Sequence, residues 1–211
     1  MLVRRLVPIL AATVVAGLAA SGCASQAVGV RVGDETYSQA DMTGELEAYG
    51  ENEALFPPDS QQTAQIQGEL AGSYSQDFVS QVVSQRVTYM LVQKVFDDHN
   101  LELSDGERTA AQTQLASRMG NQAIDEFPAE YRQRFVDDEA RVLRLLDEMG
   151  EDDLNAAILD EARSSDIEVS SRFGDWDRDQ LQVVPPVGST QSSGSGPALG
   201  SAPGAGATPS G

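Results

Sequence analysis

The stretch that decides the fold is SYSQDFVSQVVSQRVTYMLVQKVFDD, residues 73–98. Its apolar side chains recur in pairs every three to four residues, which places them on one broad face of an α-helix. They are Phe78, Val79, Val82, Val83, Val87, Met90, Leu91, Val95 and Phe96. A long helix with so wide an apolar face has to bury that face. The stretch therefore predicts the central core element of the fold.

Helical patterns also lie on both sides of this stretch. Ser38 stands three residues before Asp41, as a helix N-cap does, and Ser104 with Glu107 has the spacing of a capping box. Pro128 is typical of a first helical turn. The expected helices cover residues 40–49, 73–98, 104–119, 128–150 and 152–163. We therefore predict about five helices.

Two strand patterns stand at opposite ends of the helical region. Val28, Val30 and Val32 alternate with other residues near the start, and Ile167 and Val169 alternate with polar residues near the end. This period of two is that of a β-strand. Isolated strands need partners, so we expect the two segments to pair with each other. The predicted fold class is mainly α, with a small β element that joins the N- and C-terminal segments.

Sequence motifs at both ends of this region resemble those of the SurA N-terminal domain, the chaperone module of SurA-like and foldase-type peptidyl-prolyl isomerases. VGDETYSQAD, residues 32–41, is similar to the opening V-N-G-x-x-I-s-x-x-e/d pattern of that family without its Asn. VSSRFGDW, residues 169–176, is similar to the closing V-x-P-R-[FY]-G-x-[WF] pattern, with Ser171 in place of proline. The resemblance covers roughly residues 27–184.

This resemblance implies a small β lobe with the helices forming a cradle that holds unfolded or partly folded secreted polypeptides. Foldase relatives also carry a parvulin isomerase domain, whose site relies on a pair of histidines. The chain has one histidine, His99, and no further segment with the length of such a domain. We therefore expect chaperone-like binding without isomerase activity.

The start of the chain predicts a membrane anchor. Arg4 and Arg5 precede an uncharged apolar run at residues 6–20, the layout of a secretory signal peptide. Small residues then precede Cys23, which resembles the lipobox of bacterial lipoproteins, although Ala20 stands where that family usually has Leu. The expected organisation is a signal peptide at 1–22 and a lipidated tether at 23–26. The alternative is an ordinary signal peptide followed by an incidental free cysteine.

Such a lipoprotein would be held by fatty acyl chains such as palmitate at the extracytoplasmic face of the cell membrane. The net charge of the chain bears on its other partners. The chain has 14 Lys and Arg residues and 33 Asp and Glu residues, which gives a net charge of −19. This acidity excludes the basic surface with which proteins bind nucleic acid. Residues 185–211 contain no charged side chain and are dominated by Gly, Pro and Ser, which predicts a disordered tail.

Client binding requires exposed apolar side chains. Phe56 stands beside Pro57 and Pro58, in a segment that cannot continue a helix. Met119, Phe127 and Tyr131 surround the junction between the third and fourth predicted helices. These four residues are the candidate client-binding residues, and burial in the core is the alternative for each.

No residue pattern predicts catalysis or a metal site. His99 follows the long helix, where a histidine is an ordinary C-terminal cap. Asp175, Asp177 and Asp179 resemble the start of a calcium loop, but Gln180 occupies the position that requires glycine. We expect no catalytic residue, metal or other cofactor. The predicted function is a membrane-anchored, chaperone-like lipoprotein; the alternative is a structural or adaptor lipoprotein that binds one specific folded envelope partner.

Overall fold

The computed structural model describes residues 27–185. The predicted signal peptide, the tether with Cys23 and the tail from residue 186 onward lie outside the described residues. The described part contains seven helices and five short strands. In chain order they are β1 (Val28–Val32), β2 (Glu35–Ser38), α1 (Gln39–Gly50), α2 (Gln61–Ile66), α3 (Gln76–Asp98), α4 (Asp105–Met119), α5 (Asn121–Glu126), α6 (Ala129–Met149), α7 (Glu151–Ser164), β3 (Ile167–Val169), β4 (Asp175–Asp177) and β5 (Gln182–Val184). The predicted mainly α class is confirmed.

The central position of α3 is also confirmed. Its 23 residues extend over about 35 Å, and it contacts α1, α2, α6, α7, β1 and β5. Ser75 caps its first turn by accepting the backbone N–H of Phe78. Because this one helix contacts elements from both ends of the described region, its broad apolar face organises the core. His99 is the exposed C-cap of the helix, as predicted.

The predicted number of helices is wrong, because two short helices of six residues each were not expected. The first, α2, is capped by Ser60, whose hydroxyl accepts the backbone N–H of Thr63 at 3.1 Å. The second, α5, begins directly after Gly120, which ends α4 with a φ of 89°. Gly120 ends α4, and the chain resumes helical geometry at the next residue. None of the helices in residues 27–185 has the length and apolar content needed to cross a membrane.

The predicted pairing of the two distant strands is confirmed. The sheet order is β2-β1-β3, and β1 pairs antiparallel with β3 through Val30 opposite Val169 and Val32 opposite Ile167. A β-bulge lies between Val28 and Val30. At Gly29, an added Cβ would lie 2.7 Å from the backbone oxygen of Ser38, so only glycine allows the two backbones to approach this closely.

The structure adds a β-hairpin that the sequence did not predict. Strands β4 and β5 pair antiparallel, with Trp176 opposite Val183. The backbone N–H of Val183 donates to the hydroxyl of Ser84 at 2.7 Å, which attaches the hairpin to α3. At the turn, the Asp177 carboxylate accepts the backbone N–H groups of Asp179 and Gln180. The acidic stretch that resembles a calcium loop therefore forms a turn.

Candidate functional site

A cleft of about 510 Å³ opens where the β2 strand meets α3 and α6. Charged and hydrogen-bonding side chains make up most of its walls. The lining residues are Glu35, Thr36, Tyr37, Arg86, Met90, Gln93, Glu130, Gln133, Arg134, Asp137, Asp138 and Arg141. Because its walls come from one strand and two helices, the cleft is the candidate functional site in the described part of the chain.

A buried ion cluster forms the floor of the cleft. Arg86, Glu45 and Asp138 are 5%, 4% and 3% exposed, and they come from α3, α1 and α6. The Arg86 guanidinium donates to both oxygens of Glu45, from Nε at 3.0 Å and from Nη2 at 2.9 Å. Its Nη1 donates to Asp138 at 2.7 Å, and Arg141 donates to the other Asp138 oxygen at 3.0 Å. Two positive and two negative groups therefore balance each other, which offsets part of the cost of removing them from water.

The ring of Tyr37 connects this cluster to the open part of the cleft. Its hydroxyl donates to Glu45 Oε2 at 2.7 Å and accepts a hydrogen bond from Arg134 Nη1. The guanidinium groups of Arg86 and Arg134 lie 5.0 and 4.9 Å from its ring centroid. Two cations thus lie within cation–π distance of the Tyr37 ring, an arrangement that cation–π attraction favours. The polar floor and the cleft wall are therefore one continuous network.

Burial and neighbouring charges perturb the titration of this network. Burial disfavours the charge of Arg86, but the carboxylates of Glu45 and Asp138 outweigh it and raise the pKa of the guanidinium. Burial raises the pKa of Asp138 against the opposing effect of Arg86. Burial, followed by the negative charge of Asp97, raises the pKa of Glu35. The pKa of the Tyr37 phenol is raised by burial and by Glu45, so the phenol stays protonated at neutral pH.

These groups can recognise a ligand by charge and hydrogen bonding. Glu35 accepts a hydrogen bond from Gln93 at 2.8 Å, and Asp137 accepts one from Arg108 at 2.8 Å. Each carboxylate therefore makes a hydrogen bond within the fold in addition to lining the cleft.

Between residues 27 and 185, no group of three or more His, Cys, Asp or Glu side chains is placed to hold a metal ion.

The candidate client-binding residues have different positions from those that the sequence indicated. Phe56 and Phe127 are buried, so their expected exposure is wrong. Phe127 packs edge-on against Tyr49 with a centroid distance of 5.1 Å, and Phe56 packs in the same way on Phe78 at 5.8 Å. They fill the core because packing against Tyr49 of α1 and Phe78 of α3 removes a large aromatic surface from water.

The other two candidates are half-buried. Met119 packs against the core at the end of α4. Tyr131 lies beside the cleft, with the Arg134 guanidinium 5.3 Å from its ring centroid and its hydroxyl donating to the Asp41 carbonyl at 3.4 Å. Tyr131 thus contacts the cleft network through Arg134, and Phe127 and Tyr131 both line a small cavity with Glu45 and Arg86. Cys23, the predicted lipidation site, lies outside the described residues.

A scan against protein-family models finds no matching family, and searches of curated proteins and of solved structures also find no match. No relative therefore assigns a role to the cleft, and its function has to be argued from its own geometry and from the sequence motifs.

The residues that form the cleft network were absent from the sequence-based candidates. The signal that identifies them is a charge within an apolar helical stripe. Arg86, for example, shares a face of α3 with Val82, Val83 and Met90. A charged residue at a core position requires a buried partner of opposite charge. This rule finds Arg86, but it does not say which carboxylates lie opposite.

Proposed function

We propose that the chain is a membrane-anchored, extracytoplasmic, chaperone-like lipoprotein that binds unfolded or partly folded secreted polypeptides and has no isomerase activity. The observation that carries this proposal is the pairing of Val30 with Val169, which joins the two motif-bearing ends around the helices. This is the arrangement that the resemblance to the SurA N-terminal domain implies. The cleft between the β lobe and the helices offers a place for a bound polypeptide segment.

Suppression of client aggregation tests this function. We expect the purified protein, at a concentration equal to that of reduced insulin, to lower the final light scattering of the insulin chains at least by about half. A folded acidic protein at the same concentration controls for crowding and net charge. Unchanged scattering would contradict the chaperone-like function. Acceleration of proline isomerisation in a peptide assay would contradict the absence of isomerase activity.

Replacement of the predicted lipidation site tests the anchor. We expect Cys23→Ser to move the protein from the membrane fraction to the released fraction of a bacterial host, because the hydroxyl cannot take the diacylglyceryl group. Two acyl chains suffice for stable anchoring, so their loss has a large effect. Ser25→Ala, which keeps the thiol, serves as the matched control. Equal retention of both variants in the membrane fraction would show that Cys23 does not anchor the chain.

A second candidate function is an adaptor lipoprotein that binds one specific folded envelope partner. The observation that favours it is the scarcity of exposed apolar surface, since Leu70 is the one exposed large hydrophobic residue between residues 27 and 185. General chaperones need a broader apolar surface than this. Crosslinking in cells distinguishes the two functions, because an adaptor yields one partner in fixed stoichiometry and a chaperone yields many unfolded chains.

A further inference from the structure

Arg134 is a cation held in the cleft without a carboxylate partner. Its guanidinium lies 4.9 Å from the ring centroid of Tyr37 and 5.3 Å from that of Tyr131. The side chain donates to the Tyr37 hydroxyl, but no acidic group in residues 27–185 forms an ion pair with it. A guanidinium carries five N–H donors. Two aromatic rings therefore hold a half-buried cation in place, and the hydrogen bond to Tyr37 uses only one of its donors.

The strand β2 borders the same cleft along its edge. Successive residues of a strand point to opposite faces of the sheet, yet Glu35, Thr36 and Tyr37 all line the cleft. Glu35 and Tyr37 contact Gln93 and Arg86 of α3 from one face of the strand, and Thr36, which points to the other face, also lines the cleft, so the cleft extends to the edge of the strand. The sheet order β2-β1-β3 leaves this edge unpaired among the described strands. An unpaired edge presents backbone N–H and C=O groups to an incoming extended peptide.

We propose that the cleft binds an extended polypeptide segment that adds as a strand along β2 and places a carboxylate against Arg134. The proposal rests on the proposed polypeptide-binding function and specifies its ligand. Guanidinium and carboxylate form paired, charge-assisted hydrogen bonds, and the stacked rings hold the guanidinium ready for them. Glu35 and Glu130 also line the cleft and have no ion pair in the described part of the chain, so they repel further acidic groups. The preferred segment therefore carries a single carboxylate.

Three peptides with an uncharged fluorescent label of the BODIPY type test the ligand chemistry with the full-length purified protein. Each has ten residues of alternating Thr and Val, and the first carries one central Asp and an amidated C-terminus. The second replaces that Asp with Asn, and the third is the Asn peptide with a free C-terminal carboxylate. We expect fluorescence anisotropy to show binding of the first peptide at least about tenfold tighter than the second. Equal binding of these two peptides, or binding of neither, would overturn the proposal.

The third peptide identifies the source of the carboxylate. An affinity close to that of the first peptide supports the same site with the chain terminus as ligand. An affinity close to that of the second peptide supports a side-chain carboxylate as the ligand.

Two variants of Arg134 and one control variant test the protein side of this contact. We expect Arg134→Gln to reduce the affinity for the Asp peptide about tenfold and to abolish the difference between the Asp and Asn peptides. Arg134→Lys retains the charge without the planar fork, so it should recover part of that difference. Arg178→Gln removes the same charge from the exposed turn between β4 and β5, outside the cleft, and should bind like the original protein. Thermal unfolding of each variant verifies that it is folded.

Methylation of peptide backbone nitrogens tests the strand edge. Methyl groups on one alternate set of amides remove the N–H groups that face β2, whereas methyl groups on the other set point away from β2. We expect one set to abolish binding and the other to leave most of it. Equal effects of the two sets would overturn the strand addition. Aggregation suppression by the original protein without selectivity between the Asp and Asn peptides rejects this docking mode alone, whereas the absence of suppression in the original protein rejects the proposed function.

Discussion

Arg86→Ala is expected to lower the free energy of unfolding by about 3–5 kcal/mol, because it leaves Glu45 and Asp138 buried without their shared cation. Both carboxylates are nearly inaccessible to water, so solvent cannot replace the lost guanidinium. The free energy of unfolding of an ordinary domain is about 5–15 kcal/mol, so this loss is large. Urea unfolding followed by the fluorescence of Trp176, the single tryptophan, measures it.

Arg144→Ala is the matched control for this prediction. Arg144 pairs with Glu107, Asp147 and Glu148 near the surface, where ion pairs contribute about 0–1 kcal/mol. A second control replaces the three buried members of the cluster by apolar residues, Arg86→Met with Glu45→Leu and Asp138→Leu, and should recover most of the stability. If Arg86→Ala costs no more than Arg144→Ala, the cluster is not a buried network that supports the cleft.

The long helices and the individual strand segments could be predicted because their sequence patterns are local and strong. The apolar face of α3 repeats over six turns, and the Ser104–Glu107 capping box appears in the structure with both of its hydrogen bonds. The pairing of β1 with β3 followed from a simpler requirement, that two solitary strands need partners. Each inference depended on a pattern contained within one segment or on the small number of possible partner strands.

The short elements could not be predicted because tertiary contacts stabilise them. Strand β5 has three residues, and its position depends on the hydrogen bond from Val183 to Ser84 of α3, almost a hundred residues earlier in the chain. Helix α2 has six residues, fewer than an isolated helix needs in water. Nothing in either segment alone indicates these partners.

The cleft could be predicted only in part. Arg86 is a charged residue within the apolar stripe of α3. Glu45 is likewise a charged residue on the apolar side of α1, between Met42 and Tyr49. The sequence thus indicates that buried charges must find each other. It does not indicate that Arg134 lacks such a partner, because that depends on the distances between α6 and every acidic neighbour. The unpaired cation is a property of the assembled fold.

Leu91→Ala is expected to lower the free energy of unfolding by about 2–5 kcal/mol. Leu91 is 0% exposed on α3, so truncation removes buried methyl groups from the helix that most other elements contact. With a typical urea dependence, this loss lowers the unfolding midpoint by about 1–2 M. The same truncation at Leu70, which is 76% exposed, should change stability by less than about 0.5 kcal/mol. The chemical change is identical in the two variants, so their difference measures burial alone. Equal midpoints would mean that α3 is not the centre of the core, and the positions of the β1–β3 pairing and of the cleft would then need another explanation.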